Sequence, residues 1–156
     1  MEYYNKISKS YNKLHKEEQL KKIKIIKKYL KKPYGFLLDI GAGTGISTKP
    51  FIKDSTIAIA LDPSEKMLKK YKGTKELGKA EELPFKNNTF DTIISVTALH
   101  HTNLKQAIKE IKRVAKPKAQ IAISFLKKSK KLKEAKKLLK KFDQIEEDKD
   151  VIFILS

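Results

Sequence analysis

Residues 37–45 read LLDIGAGTG, and this stretch decides the architecture. Phe36, Leu37, Leu38, Asp39 and Ile40 make a short strand-like run that leads straight into glycines at alternate positions, Gly41, Gly43 and Gly45. A helix-compatible stretch with Thr44 near its start follows over residues 44–52. Such a strand–loop–helix hinge lets a ligand approach backbone N–H groups at a helix N-terminus, because glycine has no side chain to hold the ligand off. The spacing narrows the choice of ligand. A dinucleotide-binding loop needs its third small residue at position 46, and Ile46 is too large for it.

The next apolar, β-branched run, residues 55–61 (STIAIAL), ends at Asp62. In a doubly wound sheet this carboxylate lies at the carboxyl end of the neighbouring strand, where it can accept from both hydroxyls of a ribose. Charge-assisted bonds of this kind are worth roughly 1.5–3 kcal/mol each. Pro63, Ser64 and Glu65 also read as a helix start, so Asp62 equally suits a capping role, and the two roles are compatible. The acid alone fits a nicotinamide cofactor as well, which leaves the glycine spacing to separate the two.

A third block carries the most specific pattern. Gly78-Lys79-Ala80-Glu81-Glu82-Leu83-Pro84-Phe85 leads into Asn87-Asn88-Thr89-Phe90-Asp91 and then into the run from Thr92 to His101. Ala107-Ile108-Lys109-Glu110-Ile111-Lys112-Arg113-Val114-Ala115-Lys116-Pro117 continues it. With Asp39-Ile40-Gly41-Ala42-Gly43-Thr44-Gly45, these segments resemble class I S-adenosylmethionine-dependent methyltransferases, in the branch that includes ubiquinone- and menaquinone-biosynthesis methyltransferases (methyltransferase type 11). The strong motifs cover residues 37–125, over half of the chain.

The resemblance implies an α/β fold, a doubly wound Rossmann-like sheet of seven strands, mostly parallel, with a C-terminal antiparallel hairpin and helices on both faces. It implies S-adenosylmethionine as cofactor. The methionine end is expected against Gly41, Ala42, Gly43 and Gly45, with Asp39 orienting the loop and the amino group. Asp62 and Pro63 are expected at the ribose, Ala80 and Glu81 at the adenine, and Thr97 at the end of the fourth strand. Tyr3-Tyr4-Asn5-Lys6-Ile7-Ser8-Lys9-Ser10-Tyr11-Asn12 is similar to the branch's cofactor-covering segment, with Tyr11 nearest the cofactor.

Two departures bear on this. The family places an Asp before Ala80 to accept from the adenine amino group, and Lys79 has no acceptor to offer. Either Glu81 takes that role or recognition rests on backbone and apolar contacts around Leu83 and Phe85. The turn after Pro117 carries Lys118 and Ala119 in place of two glycines, which a type I turn tolerates.

Composition bounds the rest. A chain of 156 residues is expected to make a single domain, with residues 1–33 as an N-terminal helical cap and 34–156 as the core. There is no cysteine, which removes disulfides, thiolate metal sites and a thiol nucleophile; no metal site is expected. No apolar run is long enough to span a bilayer and the N-terminus has no signal pattern, so the expectation is a soluble, cytoplasmic protein with no membrane partner. The formal net charge is +18, a field that favours polyanions such as RNA. Yet Arg113 is the one arginine among 36 basic residues, and recognition of phosphates and bases favours Arg for its planar fork. Lysine enrichment also fits a compositional bias of heat-adapted organisms, and both readings stay open.

Along the chain, Leu20, Ile23, Ile26 and Leu30 recur at helical spacing over residues 17–32, stopped by Pro33-Tyr34-Gly35. Helical patterns also cover 64–71, 103–115 and 129–142, strands are expected near 75–79 and at 119–125, and 142–146 with 151–155 read as the closing hairpin. No lid is inserted after the fifth strand, which leaves the N-terminal segment to roof the site. The cofactor brings the reactive sulfonium, so the chain must mainly hold the acceptor in line and exclude water. His100 and His101 are the catalytic candidates, able to take a proton from an oxygen or acidic-carbon nucleophile; the alternative is that they pack or cap the helix beginning near Asn103. Three function classes follow: a methyltransferase on a small molecule, favoured by the motif branch; one on RNA or protein, favoured by charge and the open site; and a non-catalytic subunit of this fold that serves a partner.

Overall fold

The computed structural model describes the backbone of residues 2–156 and the side chains of residues 12–156. Thirteen elements follow in order: α1 (Glu2–Tyr29), β1 (Gly35–Ile40), a 3-10 helix (Lys49–Asp54), β2 (Ser55–Asp62), α2 (Glu65–Leu68), β3 (Lys75–Leu77), β4 (Phe90–Val96), a second 3-10 turn (Leu99–His101), α3 (Leu104–Val114), β5 (Ala115–Leu126), α4 (Leu132–Leu138), β6 (Asp143–Glu146) and β7 (Asp150–Leu155). The strands form one sheet in the order β3-β2-β1-β4-β5-β7-β6. The first five are mutually parallel, and β7 runs antiparallel to both β5 and β6. Strand order reverses between β1 and β4, which opens a crevice at their carboxyl ends.

The period-2 alternation of the strands separates two cores. Leu37, Ile94, Ala122 and Ile152 face α1 and the first 3-10 helix, meeting Ile23, Ile26, Leu30 and Phe51. Leu38, Ile93, Ile121 and Phe153 face the other way, onto Leu104, Ile108, Ile111, Ala135 and Leu139 of α3 and α4. The expected seven-stranded, doubly covered sheet is the observed one.

Element lengths differ from the sequence pattern in five places. The first helix is 28 residues long and starts at Glu2 rather than near 17. Leu20 is 40% exposed, because α1 leaves the sheet at that point, whereas Ile23 and Ile26 are buried. Residues 44–52 are turns and the 3-10 helix instead of an α-helix. Ser47 and Thr48 turn their hydroxyls inward to Asp39, and Pro50 has no N–H to carry an α-helical ladder. The helices expected at 64–71 and 129–142 shrink to α2 and α4, while β5 starts at Ala115 because that residue pairs with Phe90 across a register shift.

Candidate functional site

The glycine loop turns over the crevice from the end of β1. Gly45 has φ +86°, and a Cβ there would lie 2.2 Å from the ring of Tyr71, so this position is glycine because an aromatic ring is packed on it. Gly43 has φ +57° but its Cβ would meet only Met67 Cε at 3.4 Å; this position is glycine for its backbone alone. The loop spends its own donors. Gly41 and Ala42 donate to Leu61 O at 2.8 and 2.9 Å, Gly43 to Asp62 Oδ2 at 2.9 Å and Gly45 to Ala42 O at 2.9 Å. The expected row of N–H groups offered at a helix N-terminus is therefore not formed: no α-helix follows the loop, and the N–H groups of Gly41, Ala42, Gly43 and Gly45 are satisfied within the protein.

Under the loop lies Asp39, fully buried at the end of β1. Its Oδ2 accepts from Ser47 Oγ at 2.5 Å and Thr48 Oγ1 at 2.7 Å, while Oδ1 is buried with no partner. Burial pushes this carboxyl up to about 7; the two hydroxyls offset part of the rise and the charge of Asp62 adds to it. A half-protonated carboxyl with one bare oxygen is suited to a cationic group.

Asp62, at the end of β2, accepts from Gly43 N and Ser64 N, one bond at each oxygen and both 2.9 Å long. It ties the glycine loop to the start of α2, whose cap is Ser64, accepting from Met67 N. Each oxygen keeps a free lone pair for a further donor. Pro63 is exposed beside it and Ala80 is buried. Glu81 is turned toward α3, its Oε2 accepting from Asn103 N at 3.2 Å and its carbonyl from Gln106 Nε2 at 3.3 Å. The loop that follows is held by Arg113. Its guanidinium donates to Leu83 O, Phe85 O and Asn87 Oδ1 at 2.8–3.0 Å and pairs with Glu110 at 2.6 Å. Glu110 also accepts from Leu83 N, and the Arg113 bond holds its carboxyl below the usual carboxylate range. The single arginine is a clamp on this loop. Its place in the Glu-x-x-Arg step of an amphipathic helix was the available signal, since residues three apart share a helix face.

On the other side of the crevice, Thr97 follows β4 with φ +52°, a strained conformation for a β-branched residue. It is pinned from two directions, by Ser124 and by Lys22. Its N–H donates to Ser124 Oγ at 2.9 Å, its Oγ1 accepts from Lys22 Nζ at 3.0 Å, and Lys22 in turn pairs with Asp150 at 3.0 Å. Lys22 and Asp150 are only 12% and 8% exposed in their side chains. This charged link between α1, β4 and β7 joins residues 128 positions apart and left no local mark in the sequence. Beside it is a cavity of about 190 Å³ with Ile25, Leu126 and Ile152 among its apolar walls and Lys22, Glu147 and Asp150 among its charged ones.

His100 and His101 lie with their ring centroids 4.0 Å apart and their planes tilted by 55° in the 3-10 turn after Thr97. Neither caps α3, whose cap is Asn103, accepting from Gln106 N. His100 is half-buried, with Nδ1 enclosed and unpartnered; burial and the neighbouring His101 hold its pKa below the usual imidazole value. It is therefore neutral at pH 7, while His101 is exposed. Asp39, the glycine loop, Asp62 and Thr97 thus gather at the carboxyl ends of β1, β2 and β4. Tyr11, with Tyr3 and Tyr4, lies outside the residues whose side chains are described. Among the described residues no helix is long and apolar enough to cross a membrane.

A family model described as a methyltransferase domain matches residues 38–123. An uncharacterized protein of Methanocaldococcus jannaschii is 44% identical over 122 residues, covering 74% of this chain and 47% of that protein. A demethylmenaquinone methyltransferase of Corynebacterium glutamicum is 33% identical over 97 residues, covering 60% and 42% respectively. The chain thus spans about half the length of these curated relatives. A crystallised S-adenosylmethionine-dependent methyltransferase of Thermotoga maritima shares the fold, with a TM-score of 0.70 over 88% of this chain and 87% of its own, at 20% identity.

Proposed function

Because the chain belongs to the methyltransferase-domain family, we propose that it transfers a methyl group from S-adenosylmethionine to a small-molecule acceptor held beside Thr97. The observation that carries this reading is the donor and acceptor balance of the first crevice half. Four of the glycine-loop N–H groups that a pyrophosphate would draw on, those of Gly41, Ala42, Gly43 and Gly45, are already used, whereas Asp39 keeps a buried, bare oxygen suited to an ammonium group. The residues present therefore fit an amino-acid-bearing nucleoside better than a dinucleotide.

In this reading Asp39 and the glycine loop hold the amino-acid end, and the free lone pairs of Asp62 take the ribose hydroxyls. Ala80 and the loop clamped by Arg113 flank the adenine. Lys79 offers no acceptor and Glu81 is engaged by Asn103, so backbone groups carry most of the polar recognition of the base. The bound cofactor supplies a methyl group made electrophilic by its sulfonium. The chain's part is to orient the acceptor and keep water out. The 190 Å³ cavity suits a small acceptor or one compact group of a larger molecule. Neutral His100 can take the proton that an oxygen or acidic-carbon nucleophile loses. Beyond Lys22 the first part of α1 runs past the carboxyl edge of the sheet, exposed at residues 12–17, in position to close over the crevice.

Calorimetric titration with S-adenosylhomocysteine tests the cofactor assignment, with saturable binding at one site expected. Tighter binding of NAD than of S-adenosylmethionine, or no binding of the homocysteine product, would overturn it.

A further inference from the structure

A shallow groove of about 450 Å³ runs along the outer face of the molecule between α3 and α4 and shares no lining residue with the cavity beside Lys22 and Asp150. It starts at Asn103 and Gln106, two residues past the histidine turn, and its floor includes Leu138 of α4. Its wall is a stripe of lysines, Lys105, Lys109 and Lys112, all exposed. These positions are four and three residues apart, so they share one helix face and step along the groove by about 6 and 5 Å of helical rise. Among the described residues none of the three makes an ion pair, and the acid on the same helix, Glu110, is turned inward onto Arg113. Across the groove α4, which lines it through Leu138, carries the exposed Lys133, Lys136 and Lys137 beyond the lining and one exposed carboxylate, Glu134, a net charge of +2 on that side.

We propose that this groove seats the phosphodiester backbone of an RNA strand. The formal net charge of +18 supplies long-range attraction over the whole surface, but a diffuse field alone has no preferred seat. The groove adds one: a concave track with a regular row of free ammonium groups on its wall and no carboxylate facing it from α3. Lysines act as point charges on phosphates and carry no base-reading fork, so the expected binding is tolerant of sequence and strongly dependent on salt. The inference stands apart from the methyl-transfer reading, since none of the groove lysines belongs to the cofactor or acceptor sites described above; the groove meets the adenine side only at its end, where Asn103 and Gln106 hold Glu81.

The test measures fluorescence anisotropy of a labelled 20-nucleotide single-stranded RNA of mixed sequence with the full chain. The K105Q/K109Q/K112Q variant is compared with a K28Q/K49Q/K53Q variant, which removes the same charge from the opposite face. The groove variant is expected to bind at least tenfold more weakly and to lose about two units of the slope of log K against log salt, at roughly 0.7 per phosphate contact. The control variant should stay within threefold of the natural chain. Binding of S-adenosylhomocysteine should be the same in all three, which separates this outcome from any failure of the cofactor assignment. Equal losses in both variants would reduce the effect to diffuse charge and overturn the proposal. So would the absence of RNA binding by the natural chain, or displacement of the RNA by poly-glutamate at equal charge concentration, which would point to an acidic protein instead.

Discussion

On the β1–β2 side of the crevice the polar groups are held by short backbone and hydroxyl hydrogen bonds between neighbours in the chain or in adjacent strands: Asp39 by Ser47 and Thr48, Asp62 by Gly43 and Ser64. On the β4–β7 side the strained Thr97 depends on Lys22, a charged side chain delivered by α1 and balanced by Asp150. The first arrangement is complete as soon as β1 and β2 pair. The second exists only once α1 has docked on the sheet. A site built this way can hold its β1–β2 half, proposed above for the cofactor, ready while the β4–β7 half responds to the position of one helix.

The largest expected effect tests that dependence. Lys22→Met leaves the Asp150 carboxylate buried without its cation and should cost about 3–5 kcal/mol of stability in denaturant unfolding. The double change Lys22→Met with Asp150→Leu should recover most of the loss, because no uncompensated charge remains. If the single variant unfolds like the natural chain, the contrast between the two halves fails.

Asp62→Ala should act on the ligand. In the proposed reading two charge-assisted bonds to ribose are lost, so S-adenosylhomocysteine should bind roughly 2–4 kcal/mol more weakly by calorimetry. An unchanged dissociation constant would remove Asp62 from the site. Next in size, Arg113→Lys keeps the charge but not the planar fork that reaches Leu83, Phe85, Asn87 and Glu110 together. About 2 kcal/mol of stability should go, a fall in Tm of roughly 4–8 °C for a chain of this length. No change in Tm would show that the adenine-side loop holds its shape without the clamp.

The smallest effect is a pH dependence from Asp39. Between the ordinary carboxyl value near 4 and the folded value of about 7 only the folded chain keeps the proton. Stability contributed by this group is therefore present below that window and is lost as pH rises through about 7. A ligand ammonium beside Oδ1 favours the carboxylate, so binding of S-adenosylhomocysteine should release up to about half a proton at pH 7 and more toward pH 6, and should strengthen as pH rises from about 6 to 8. Calorimetry in buffers of different ionisation enthalpy reads that proton, and Asp39→Asn should abolish the release. Buffer-independent heats in the natural chain would mean that the ligand leaves Asp39 untouched.

The two halves also differ in how far they could be read from residues alone. Asp39, the three glycines and Asp62 follow from a local pattern, because a strand must end and turn where glycines alternate and the next strand must return beside it. The apolar face at Ile23, Ile26 and Leu30 and the pairing of the last two strands are equally local, since side-chain period and turn residues set them. The pattern misled where a polar contact competed with it. Residues 44–52 look helical, but Ser47 and Thr48 are drawn under the sheet by Asp39 and Pro50 breaks the ladder. The loop N–H groups look available by composition and are in fact consumed by Leu61, Asp62 and Ala42.

By itself the sequence determined the buried face of α1, most of the strands and the closing hairpin, because hydrophobic period and turn chemistry act over a few residues, while the seven-stranded order and its crevice were what the family resemblance implied. Only the tertiary structure decided which charges meet. The docking of α1 on the sheet brings Lys22 to Thr97 and Asp150, and the packing of α3 against the loop after β3 puts Arg113 on Leu83 and Phe85. Burial also set the state of the ionisable groups, leaving Asp39 with a bare oxygen and His100 neutral. Such pairings depend on distances between segments far apart in the chain and on the removal of water around them, and neither is written in any local run of residues.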